Sequence, residues 1–122
     1  MKRSILIIIV ISLLSGGCYY DVEEYLYPDN GVCDTNSVTY STTILPILQG
    51  QGCLGCHSGG APSGNISLEG YNNVKTVALN GKLYGVINYE PGYSPMPQGG
   101  NKLSACNINR VKAWIDAGAP NN

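Results

Sequence analysis

The sequence predicts a mainly α domain of short helices and long loops. Three observations carry this expectation. Sixteen Gly and 7 Pro occupy 23 of the 122 positions, so the chain is interrupted too often for long regular elements. Apolar residues recur at three- and four-residue spacing in several short stretches, whereas no stretch alternates convincingly as a strand would. Only 12% of the residues are charged, which argues against a coiled coil or a large solvated helical bundle.

Taken in order, residues 1–17 form an address and not part of the fold. Met1-Lys2-Arg3 gives a positive start, Ile5 to Leu14 is apolar except at Ser12, and Ser15-Gly16-Gly17 is a small-residue stretch. That is the layout of a secretory signal peptide. Its ten-residue apolar run would rise about 15 Å as a helix, half of a hydrocarbon core of about 30 Å, so it is too short to be an ordinary spanning helix. The stretch Leu13-Leu14-Ser15-Gly16-Gly17-Cys18 resembles the lipobox of bacterial lipoproteins, with Ser15 where the usual Leu stands and Leu14 one place further out. That resemblance implies a lipidated Cys18 as mature N-terminus; a spare thiol after ordinary cleavage is the alternative. Residues 18–32 then read as an acidic tether, with Asp21, Glu23, Glu24 and Asp29 among four tyrosines and no sustained periodicity.

The remaining residues, 33–122, are expected to fold as one domain. Ile44-Leu45-Pro46-Ile47-Leu48 suggests a short helical turn. Tyr71 to Leu79 forms a helix with Val74, Val77 and Ala78 on one side and Gly81 after it, and Lys82 to Ile87 forms a second short one. Ser104 is an N-cap for a last helix with Ile108, Val111 and Ile115 on one apolar face and Trp114 beside them; Gly118 and Pro120 stop it. The formal net charge of the whole chain is -1. Within residues 33–122, Lys75, Lys82, Lys102, Arg110 and Lys112 face Asp34, Glu69, Glu90 and Asp116, a formal +1. No nucleic-acid-binding surface follows from so even a balance.

Chemistry concentrates in Cys53-Leu54-Gly55-Cys56-His57, a C-x-x-C-H sequence that uses the only histidine of the chain. This is the attachment pattern for c-type haem: two thiols three residues apart form thioethers to the porphyrin, and the imidazole that follows is held as proximal iron ligand. Two other readings share part of the pattern. A thioredoxin-like dithiol would need a strand leading into the motif, and none is evident. A structural zinc site would need a fourth ligand from Cys33 or Cys106, and no second ligand pair has the required spacing. If haem binds, the second axial ligand follows by elimination. Met1 leaves with the signal, so Met96 is the one remaining methionine. It sits in Ser94-Pro95-Met96-Pro97, where two prolines stiffen the loop that presents its sulfur. An exposed turn methionine is the plainer alternative.

On these residues the chain resembles a class I monohaem cytochrome c over about residues 38 to 120. The segments Tyr40 to Leu48 and Met96-Pro97-Gln98-Gly99-Gly100 are similar to small haem domains on bacterial lipoproteins. The resemblance implies a small cytochrome c fold around one covalently bound haem c, with Cys53 and Cys56 as thioether carriers and His57 and Met96 as axial ligands. Lacking phenylalanine, the domain would draw part of its apolar centre from the haem, with Leu54, Leu68, Leu79, Leu83, Val86 and Ile87 as either haem wall or ordinary core.

With Cys18 assigned to the lipid and two cysteines to the haem, Cys33 and Cys106 remain as a disulfide pair in an oxidising compartment, or as two unrelated thiols. A bridge across 73 residue steps would stabilise the fold by about 4 kcal/mol in the chain-entropy description. The implied function is an electron carrier, exported and held by its lipid on a membrane facing the periplasm or cell surface, that exchanges single electrons with redox partner proteins. A haem-based sensor or peroxidase-like protein with an open distal site is the alternative, and a thiol-disulfide oxidoreductase is a further one. Mass spectrometry of the mature protein from a bacterial host is expected to show a chain that begins at Cys18 and carries acyl groups. An unmodified Cys18 overturns the anchor.

Overall fold

The computed structural model describes residues 33–122; the expected signal peptide, Cys18 and the tether lie outside the described residues. A π-helical turn, Tyr40–Ile44, runs directly into α1 (Leu45–Gly50). There follow α2 (Cys53–Cys56), a 3-10 turn (Ser63–Asn65), α3 (Tyr71–Leu79), α4 (Lys82–Asn88) and α5 (Ala105–Asp116). The domain is mainly helical, with no strand among the described residues. None of its helices is long and apolar enough to cross a membrane.

The first helical segment starts four residues before the expected one and is wider. Thr39 caps it, its hydroxyl accepting from the Thr42 amide at 3.1 Å. The amide of Ile44 then reaches back five residues to the Thr39 carbonyl, at 3.1 Å. Pro46 explains why the wide turn lies here. A helical proline has no N–H and crowds the carbonyl four residues back, that of Thr42, and a widened turn ahead of it relieves the crowding.

The buried centre is formed by Trp114, Ile44, Leu48, Val74 and Val111, with Tyr40 closing it. No Phe is needed to fill it. Tyr40 lies 5.8 Å from the Trp114 ring and 5.1 Å from Tyr71, the latter pair edge-on. The expected face of α5 therefore needs correcting. Ile108 and Val111 are buried as anticipated, but Trp114 is the third buried residue (0% exposed) and Ile115 is only half-buried. The large indole draws the helix toward Tyr40, and the turn after Gly118 supplies its Nε1–H with an acceptor, the Pro120 carbonyl at 2.9 Å. Ser104 caps α5 as expected, accepting from the Asn107 amide at 3.3 Å.

Leu68, Leu83 and Ile87 belong to this core, Leu54 and Val86 pack against it half-buried, and Leu79 is 55% exposed. Cys33 and Cys106 are joined in a disulfide, with sulfurs 2.05 Å apart, that ties the segment before Thr39 to the first turn of α5. They are not two separate thiols. Arg110 of α5 adds a second tie, its Nε–H donating to the Asp34 carbonyl at 3.3 Å.

Trp114→Ala is expected to cost about 3–5 kcal/mol in urea unfolding followed by circular dichroism, against about 1 kcal/mol for Ser104→Ala. Equal costs would mean that the indole is not the centre of the core.

Candidate functional site

The first three site residues stand on one short piece of chain. Gly52 adopts a left-handed conformation (φ +70°) that ends α1 and lets α2 begin at once in a new direction. α2 is a single turn, with Cys53 and Cys56 at its two ends. Residues three apart share a helix face, so both thiols project from the same side of that turn. Cys53 is half-buried and Cys56 exposed, and neither is in a disulfide. Burial pushes the Cys53 thiol up from its ordinary pKa, against a smaller lowering by a backbone hydrogen bond.

His57 follows as the residue that ends α2, its amide donating to the Cys53 carbonyl at 3.0 Å. Its ring is fixed from the far side of a loop. Nδ1 lies 3.0 Å from the carbonyl oxygen of Ile66, and the carbonyl of His57 accepts from the Leu68 amide at 2.7 Å. A carbonyl can only accept, so Nδ1 carries the proton. In the neutral ring Nε2 is then the nitrogen with an uncommitted lone pair, the form in which histidine binds a metal. The loop is further pinned by Ser58, whose hydroxyl donates to the Leu54 carbonyl at 2.6 Å, and by Glu69, which accepts from the Gly59 amide at 3.1 Å.

Met96 stands apart from this cluster in sequence, on the loop after α4. It is half-buried, and its amide donates to the Val86 carbonyl at 3.0 Å. A groove of about 220 Å³ lies between Tyr84 and Asn88 of α4 and Leu103, Ile108 and Asn109 at α5, and none of the four predicted haem residues lines it.

No family model, curated protein or solved structure matches the chain. The reading of the site therefore rests on its own chemistry.

Two thiols on one helical face followed by an imidazole with Nε2 uncommitted are groups of the kind that would hold a covalently attached haem, while Met96 lies on the separate loop after α4. The other two readings fare worse. Cys33 and Cys106 are used in the disulfide, and among the described residues no three His, Cys, Asp or Glu side chains group as a zinc site would require. A redox dithiol needs a lowered thiol pKa, whereas that of Cys53 is raised, and no strand leads into α2.

One contributor carries no sequence signal, the Ile66 carbonyl. Every residue has a carbonyl, so only the turn-forming run around Gly59, Gly60 and Gly64 hints that the chain returns to His57.

Because a raised pKa leaves less thiolate at a given pH, Cys53 in folded protein made without haem is expected to react more slowly with iodoacetamide near pH ~8 than in urea-unfolded protein. Faster reaction in the folded state would favour the dithiol reading.

Proposed function

We propose that the domain is a monohaem c-type cytochrome that carries single electrons, exported and anchored to a membrane through Cys18. The supporting observation is the orientation of His57. Directly after a one-turn C-x-x-C helix, its Nδ1–H is spent on the Ile66 carbonyl, so Nε2 is the nitrogen available to a metal. Bound there, haem would supply a one-electron Fe(II)/Fe(III) couple.

Every other part of the function falls to the chain. Cys53 and Cys56 would hold the porphyrin edge by thioethers, each made by adding the thiol S–H across a vinyl group. The Ile66 carbonyl fixes the tautomer and ring plane of His57, and such a partner also raises the basicity of the ligating nitrogen. Met96 is the side chain that would supply the second iron ligand. A thioether there would favour the reduced state, raise the potential relative to a second histidine and leave the iron closed to substrates or small ligands. Electron exchange then requires only transient docking with redox partner proteins.

Full-length protein matured in a host that attaches c-type haem is expected to give a positive pyridine-haemochrome assay, a low-spin spectrum and the weak red band of methionine bound to ferric iron. Met96→Ala is expected to abolish that band, produce a high-spin or solvent-ligated ferric spectrum and lower the potential. A wild-type high-spin spectrum would favour a sensor or peroxidase-like protein with an open distal site, and a protein without covalent haem would overturn the proposal.

A further inference from the structure

A glycine inside a helix weakens it, since its backbone loses the most freedom and it has no side chain to bury. Gly85 nevertheless sits in the middle of α4 and is buried. The reason comes from later in the chain. Tyr93 lays its ring across α4 so closely that a Cβ on Gly85 would come within 2.6 Å of Tyr93 Cδ2 and 2.7 Å of Cε2 and Cγ. A Cβ on Gly81, the residue before α4, would lie 3.4 Å from the Tyr93 hydroxyl oxygen. The ring thus runs along the first turn of the helix, and Tyr93 as a whole is 38% exposed.

Two backbone hydrogen bonds fasten the same loop to the same helix, and a third closes a turn within the loop. The Glu90 amide donates to the Gly85 carbonyl at 2.9 Å, Tyr93 to the Glu90 carbonyl at 3.1 Å and Met96 to the Val86 carbonyl at 3.0 Å. Resting on the haem reading above, we infer that the contact of Tyr93 with Gly85 positions Met96. Methionine has three rotatable bonds, so a fixed sulfur position must come largely from a fixed backbone. Tyr93, three residues before Met96, holds one end of the segment against α4, and the Met96 amide holds the other. Any side chain at position 85 displaces the ring and loosens the loop. Gly85 and Tyr93 are positioning residues and do not themselves touch the haem.

The test compares haem-loaded wild type with Gly85→Ala, Tyr93→Ala and Tyr93→Phe. In the first two variants the methionine–iron band is expected to be lost at a pH about one unit lower than in wild type, a tenfold weaker hold on the ligand. Their potential should fall, with covalent attachment unchanged. Tyr93→Phe, which keeps the ring on Gly85, should behave as wild type. Wild-type bands and midpoints in both Gly85→Ala and Tyr93→Ala overturn the inference. Should Gly85→Ala fail to fold, Tyr93→Ala decides, since it adds no bulk. The Met96 methyl resonance in protein made without haem gives an independent reading. A shift toward the random-coil position in both alanine variants supports positioning of the loop even if Met96 proves not to be the iron ligand, and an unmoved resonance overturns it.

Discussion

Trp114 can be buried only because the chain turns back after α5 to give its N–H a carbonyl. An indole at the centre of a core contributes a large apolar area, but an unpaired N–H there would forfeit much of that gain. The turn that brings Pro120 to Nε1 also brings the Ala119 carbonyl to the Tyr71 hydroxyl, at 2.7 Å. The same tail then carries Asn122 to the start of the π-helical turn, where its side-chain and main-chain oxygens accept from the amides of Tyr40 and Ser41 at 2.8 and 2.9 Å. Satisfying one buried donor thus sets where three helical segments meet. Because the π-helical turn continues into α1, and α1 into α2 through the Gly52 turn, it also sets where the two thiols and His57 stand.

Much of the helical pattern was legible. α3 has the bounds its periodicity indicates, α4 is one residue longer, and the Ser104 cap and Gly118 stop define α5 because capping chemistry is local. The start of this segment at Tyr40 was not legible, since its first amide is held by Asn122, 82 residues away, whereas Pro46, which favours the widened turn, is local. The exchange of Ile115 for Trp114 in the core has a similar origin: helical spacing ranks faces by angle alone, while side-chain size and a distant acceptor decide which residue is enclosed.

For the candidate site, the division follows chemistry. Cys53, Cys56, His57 and Met96 can be singled out because few residue types do what they do. The groups that His57 and the Met96 segment rest on cannot, because they are main-chain atoms or a bare Cα: the Ile66 carbonyl, the Val86 carbonyl and, beneath the Tyr93 ring, Gly85. Electrostatics was partly legible. The near-neutral count gives no strong field, and the structure shows in addition where the cations go. Lys75, Lys102 and Lys112 lie over the rings of Tyr71, Tyr89 and Tyr84, and Arg110 bonds to the Asp34 carbonyl. A cation over a ring or beside a carbonyl keeps its charge, so the weak long-range field follows from the near-neutral count and not from these contacts.

The bridge between Cys33 and Cys106 has a mechanical side. Cys33 precedes Thr39 and the π-helical turn in the chain, so a load arriving from its N-terminal side meets the sulfur bridge before it meets either. The covalent path leads directly into the first turn of α5, the helix that carries Trp114. Asp34–Thr39 cannot be peeled away one contact at a time; the pull is shared with the most deeply packed helix of the domain. Tension applied from the N-terminal side would thereby pass into α5 through the bridge, past Cys53–His57 and not through it.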